Sequence, residues 1–202
     1  MGNCAKIMEE NRARLIAAMM RDGGKTISEA DPEISEAIDF VRFYALSAQN
    51  LNKESSAHGV VVIAPPWNFP YAIPMGGIAA ALVSGNSVIF KPAPETVLIA
   101  WELVNQLWEA GVPKSVLHFL PTEDNEVGKY LITHKDVDTV VLTGSYETAL
   151  LFKKWKPSLR LLAETNGKNS IIVTESADID TAVKDIIDSA LVMLGKSAQL
   201  QA

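Results

Sequence analysis

Asn68 lies in the hexapeptide Pro65-Pro66-Trp67-Asn68-Phe69-Pro70, directly after the apolar run Val60-Val61-Val62-Ile63-Ala64. Proline fixes φ and donates no backbone hydrogen bond, so such a loop serves neither as a sheet ladder nor as a flexible linker. It reads as a rigid platform that holds Trp67 and Asn68 at a set angle. An Asn that merely caps its own turn is the other use of this residue type. A second candidate is Thr143-Gly144-Ser145, which joins the run Val137–Leu142 to a helical stretch. A helix N-terminus favours an anion by ~0.3–1 kcal/mol per charge, so strand, Thr-Gly-Ser, helix makes a phosphate seat, although Gly-Ser also serves turn geometry alone. The third loop is Lys91-Pro92-Ala93-Pro94.

Other chemistries lack their residues. No Gly-x-Gly-x-x-Gly follows a strand. Gly195-Lys196-Ser197 resembles the end of a Walker A loop, but the earlier glycine would fall at Ala190. His58, His118 and His134 are scattered and form no metal set. A short-chain reductase would need Tyr-x-x-x-Lys, and Tyr130 and Lys135 are one residue too far apart.

The elements that must position these loops follow from periodicity. The first fifty residues read as two helices. Met8, Leu15, Ile16, Met19 and Met20 recur at helical spacing until Gly23-Gly24, and a second helix opens at Asp31 with Pro32 in its first position. Beyond Gly59 strand-like runs alternate with helical ones. Strands are expected at 60–63, 87–90, 116–120, 137–142, 159–163 and 170–173, with helices at 73–83, 97–109, 126–133 and 147–154. Thr96 is the expected cap of the 97–109 helix, which Gly111 and Pro113 close. The pattern predicts an α/β fold: a Rossmann-like parallel sheet flanked by helices and preceded by two helices. Ligands bind beyond the carboxyl ends of such strands, which brings the three loops together.

Composition bounds the rest. The 202 residues are 48% hydrophobic and 21% charged, ordinary for a globular chain. A net charge of −6 without a basic stripe argues against nucleic acid, and no apolar run reaches the length of a membrane helix. One cysteine, Cys4, excludes an internal disulfide and suits a cytoplasmic location. The start Met1-Gly2-Asn3-Cys4 is not a myristoylation signal, since Lys6 stands where Ser or Thr belongs, and it is too polar for a signal peptide.

Four stretches in order, PPWNFP, SGNSVIFKPAPET (84–96), LTGSYE (142–147) and LLAETNGKN (161–169), resemble the aldehyde dehydrogenase superfamily. EAIDFVRFYA (36–45) and RLLAETNGKN (160–169) resemble more narrowly the Δ1-pyrroline-5-carboxylate dehydrogenases, above all that module of bifunctional proline-utilisation proteins. The resemblance implies oxidation of an aldehyde by NAD, with NADP not excluded because Pro94 stands where many NAD-preferring relatives carry a glutamate. It implies that Asn68 donates to the oxyanion formed when a cysteine attacks the aldehyde, and that Glu164 activates water for thioester hydrolysis. The other use of Glu164 is an ion pair with a neighbour such as Lys168. Lys91 would hold the adenosine ribose and Ser145, with Thr143 and Gly144, the pyrophosphate. Ile63, Ala64, Pro65, Trp67, Gly128 and Thr165 would line the rest of the cleft.

The same resemblance divides the chain into N-terminal helices (1–54), a nucleotide-binding domain (55–163) and the opening of a catalytic domain (164–202). It places Ala198 where the family carries its nucleophilic cysteine. The expectation is therefore a fragment of a longer enzyme, inactive alone, whose parent takes a small-molecule aldehyde. A non-catalytic nucleotide-binding or interaction module is the second hypothesis. The apolar stripe of a helix expected at 178–194 predicts that the chain self-associates or folds this helix back in a position unlike that of the family.

Overall fold

Strand β1 (Val60–Ala64) is built almost wholly of β-branched side chains, which suit a pleated strand, and four of its five residues are buried. It lies at the centre of a five-stranded sheet in the computed structural model, which describes residues 2–51, 54–123, 125–165, 170–187 and 189. The other strands of the sheet are β2 (Ser87–Phe90), β3 (Leu117–Phe119), β4 (Thr139–Gly144) and β5 (Arg160–Thr165). Every pairing is parallel and the spatial order is β3-β2-β1-β4-β5. This is the doubly wound α/β arrangement, and the strand order reverses between β1 and β4.

Helices cover both faces of the sheet. Helix α3 (Ile27–Ser47), α4 (Ala72–Val83) and α5 (Val97–Glu109) share a core with Val61, Ile63, Val88 and Phe90. On the opposite face, α6 (Glu126–Thr133) and α7 (Tyr146–Trp155) pack Leu131, Ile132, Ala149 and Phe152 against Val62, Ala64, Val140 and Leu142. Alternate residues of β1 therefore feed two cores, which is why its sequence is apolar without a break. Fully buried side chains such as Met75, Ile78 and Leu103 each contribute about 1.5–3 kcal/mol through burial.

The amino-terminal region forms three helices where two were expected: α1 (Gly2–Glu10), α2 (Arg12–Gly23) and α3. A turn at Asn11 divides the first of the expected pair, and α2 ends where Gly24 takes φ +63°. Helix α3 starts at Ile27, earlier than the Asp31-Pro32 reading. Glu29 accepts from the backbone N–H of Thr26 at 2.7 Å, a cap that outranks the local proline signal, so Pro32 sits inside the helix. Thr96 stands at the N-cap of α5 but its hydroxyl makes no capping bond; Asp22 accepts from the N–H of Ile99 at 3.1 Å instead.

Residues 1–166 form one compact unit, with α1, α2 and α3 contributing to the same core as the sheet. Residues 167–202 form a second unit. Within it the strand expected at 170–173 is not formed: Ile171, Ile172 and Val173 are exposed and no neighbouring strand provides a ladder among the described residues. Helix α8 (Ile179–Ile187) does form, opened by Asp178, whose carboxylate accepts from the N–H of Thr181 at 2.8 Å. Val183, Ile186 and Ile187 are exposed, and the expected continuation through Ala190, Leu191 and Leu194 lies outside the described residues.

Candidate functional site

Parallel register brings the singled-out residues to one edge of the sheet. Phe90 is level with Ile63, Ala64 with Leu142, Thr143 with Glu164, and Gly144 with Thr165. Lys91, Ala64, Pro65, Thr143 and Glu164 thus follow one another across four strands at their carboxyl ends. Adjacent strands are ~4.8 Å apart, so the row spans about 14 Å from β2 to β5.

Side-chain alternation then sorts the row by face. Paired residues share a face, so Thr143 and Glu164 lie on the same side as Ile63 and Val141, the side covered by α3, α4 and α5. The hexapeptide leads into α4 on this same side. Leu162 and Glu164 are exposed there, because β5 is an edge strand. Ala64, Gly144 and Thr165 belong to the opposite face, with α6 and α7. Lys91 follows Phe90 and turns to that face too: the side chain is buried, and Cε stands 3.8 Å from the point where a Cβ on Gly128 of α6 would lie. The backbone N–H of Lys91 donates to the Ile63 carbonyl at 3.0 Å, which fixes the loop to β1.

Gly128 owes its identity to space. A Cβ there would stand 2.9 Å from the carbonyl oxygen of Glu123, a backbone atom that cannot swing away. It is the Glu123 carbonyl that demands glycine here; the Lys91 stem stands at ordinary contact distance from the same point. Ser145 is the N-cap of α7: its hydroxyl accepts from the N–H of Thr148 at 3.0 Å and pairs with the Thr148 hydroxyl at 2.9 Å. Gly144, Ser145 and Thr143 are half-buried at the mouth of the crevice between β1 and β4. An anion placed there meets the positive end of α7.

Pro65, Trp67 and Asn68 are half-buried on the other lip. Among the described residues the Asn68 amide has no hydrogen-bond partner, so it does not cap its own turn. Glu164 has no partner among the described residues either; Lys168, the alternative partner, lies outside them. Two residues that carried no sequence signal hold the loop from behind. Lys25 and Glu33 form an ion pair with side chains 2% and 1% exposed. Glu33 also accepts from the N–H groups of Tyr71 and Ala72, at 2.8 and 3.1 Å, and the Lys25 ammonium sits 4.2 Å from the centre of the Phe69 ring. Burial pushes the Tyr71 phenol well above its usual range, and its hydroxyl donates to Gln106 at 2.6 Å.

Cys4 is set apart from all of this. It is buried in α1, and burial pushes its thiol up, the reverse of what an attacking cysteine needs. Ala198 lies outside the described residues. No group of three or more His, Cys, Asp or Glu side chains suited to a metal occurs among the described residues, and no helix among them is long and apolar enough to cross a membrane.

A parallel five-stranded sheet whose loops converge at its switch point defines a doubly wound α/β unit. A model of the aldehyde dehydrogenase family matches residues 1–199, and the chain belongs to that family. Over 212 aligned residues it is 37% identical to a 1-pyrroline-5-carboxylate dehydrogenase of Staphylococcus aureus (strain JH1), covering 94% of this chain and 41% of that protein. The chain thus spans about two fifths of the length of that curated relative. The structure of proline utilization A (PutA) from Corynebacterium freiburgense matches with a TM-score of 0.89 and 47% identity, over 93% of this chain and 20% of that one. A more distant match is the NADP-dependent glyceraldehyde-3-phosphate dehydrogenase of Bacillus halodurans C-125, solved with NADP, at a TM-score of 0.86 and 26% identity, over 93% and 44% of the two chains.

Proposed function

We propose that this chain is the nucleotide-binding part of an NAD- or NADP-dependent aldehyde dehydrogenase whose substrate is L-glutamate γ-semialdehyde, the open form of 1-pyrroline-5-carboxylate. The product would be glutamate, a step of proline breakdown in the cytoplasm. The observation that carries the reading is the Asn68 amide, without a partner among the described residues, on a braced loop at the same sheet edge and face as Glu164. Family membership and the similarity to proteins named for this chemistry support it.

The α6–α7 face fits a dinucleotide. Lys91 would donate to ribose hydroxyls beside Gly128, and the N-terminus of α7 behind Thr143, Gly144 and Ser145 would face the pyrophosphate. Ile63, Ala64, Pro65, Trp67 and Thr165 would border the crevice. When bound, the nicotinamide supplies a hydride acceptor. The Asn68 N–H would donate to the carbonyl oxygen of the aldehyde as a thiolate adds to its carbon. A preorganised donor of this kind is worth about 10²–10³ in rate. Once the adduct has given up its hydride and become a thioester, Glu164 would take a proton from the water that attacks it, releasing carboxylate and freeing the sulfur.

If the resemblance is right in setting Ala198 against the family's cysteine, it favours a second reading for this polypeptide: a nucleotide-binding module that keeps the fold and not the chemistry. The apolar residues Val183, Ile186 and Ile187 support self-association as the further partner interaction. The division into segments 1–54, 55–163 and 164–202 is part of the proposal and describes descent, since in packing residues 1–166 act as one unit.

The first test is turnover. The 202-residue chain incubated with NAD and glutamate semialdehyde is expected to yield no reduced nucleotide above background. Turnover that disappears in Glu164→Ala would show that a nucleophile is present and that the assignment of position 198 is wrong.

A further inference from the structure

The hexapeptide is gripped by charges that come from another part of the chain. The Glu33 carboxylate reaches Tyr71 across 38 residues of sequence and accepts from its N–H, and from that of Ala72, where the loop enters α4. Free N–H groups at a helix start are usually met by a nearby Ser, Thr, Asp or Asn. Tyr71, at the N-cap of α4, makes no side-chain cap, and a buried carboxylate takes that place. Its charge is balanced by Lys25, whose ammonium also faces the Phe69 ring. The residues on either side of Pro70 are therefore held by one ion pair.

Buried ion pairs are poor stabilisers: apolar residues of similar volume often do as well or better. A pair placed here serves geometry more than stability. Asn68 has no hydrogen-bond partner among the described residues to orient its amide, so its aim depends on the backbone that carries it. We propose that Lys25 and Glu33 are positioning residues for Asn68, acting through Phe69 and Tyr71. The inference rests on the reading of Asn68 as the oxyanion donor.

Two double variants of the full chain separate this role from charge and bulk. Lys25→Met/Glu33→Gln removes both charges and keeps an oxygen for the Tyr71 N–H, whereas Lys25→Met/Glu33→Leu removes that oxygen as well. The readout is ¹⁵N relaxation of the Trp67, Asn68 and Phe69 amides and of the Asn68 side-chain NH₂, with the β1 and β4 amides as controls. Order parameters of about 0.85 are expected in the wild type, lowered values at Asn68 and Phe69 in the Gln variant, where the ammonium over the ring is gone, and values below about 0.6 at Trp67, Asn68 and Phe69 in the Leu variant, while the controls stay rigid. Values near 0.85 in either variant, or a loop already mobile in the wild type, would overturn the inference. Should the Leu variant not fold, Phe69→Leu takes its place. It keeps both charges and removes only the ring, and it is expected to shift the Asn68 NH₂ resonances and lower their order; unchanged resonances would overturn the inference equally. Failure of the oxyanion reading shows elsewhere, as undiminished turnover when Asn68 is truncated in an active enzyme.

Discussion

Lys25→Met is expected to lower the unfolding free energy of this chain by about 3–5 kcal/mol, because it strands one member of a buried ion pair. Glu33 keeps its two backbone donors in that variant but loses its counter-charge in a site where its side chain is 1% exposed. Typical domains have only ~5–15 kcal/mol to lose, so the effect is a large share of the whole. The double change Lys25→Met/Glu33→Gln removes the stranded charge and is expected to recover most of the loss. Urea unfolding followed by far-ultraviolet circular dichroism measures both. Additive losses in the double variant would mean that Lys25 and Glu33 do not act as a pair.

Asn68→Ala is expected to lower kcat about 10²–10³-fold with little change in KM, in a chain that carries cysteine at position 198 and continues through a family catalytic domain. The argument is electrostatic. Charge on the aldehyde oxygen develops only as the thiolate adds, so a donor fixed beforehand acts on the transition state more than on bound substrate. Asn68→Asp tests the sign of the effect, since it replaces the N–H donor with an acceptor of similar size and is expected to be at least as damaging. Steady-state kinetics on the purified variants decide it. A kcat within a few-fold of the parent would remove Asn68 from the chemistry and leave it a loop residue.

The parts of the fold set by local pattern could be read from the residues alone. Strand β2 and helices α5 and α6 occupy the expected positions, and the unbroken apolar run at β1 announced a strand covered on both faces. The amino-terminal helices were harder, because Asp31-Pro32 and Thr26–Glu29 are competing start signals only three to five residues apart, and the capping contact decided between them. The apolar stretch at 170–173 carries strand propensity, but propensity without a neighbouring ladder leaves it irregular. For the site, the three loops were visible as proline-rich or glycine-bearing breaks after apolar runs. The division of their residues between two faces was not, since it depends on the register that links Thr143 to Glu164 and Gly144 to Thr165. Lys25 and Glu33 had no signal at all: each is an ordinary charged residue until the fold buries them together behind Phe69.

The central claim is that this unit holds a nicotinamide dinucleotide at the carboxyl edge of its sheet, and a titration of the purified chain tests it most directly. NAD and NADP are added in parallel up to the millimolar range and followed by calorimetry, for the wild type and for Lys91→Ala. Lys91 is chosen because its side chain is buried beside Gly128 on the α6–α7 face, away from Asn68 and Glu164. The account predicts saturable binding of at least one of the two nucleotides, weakened about tenfold or more by Lys91→Ala, the loss of one charge-assisted hydrogen bond worth ~1.5–3 kcal/mol. No binding of either nucleotide by the folded wild-type chain, or equal binding by Lys91→Ala, would contradict it.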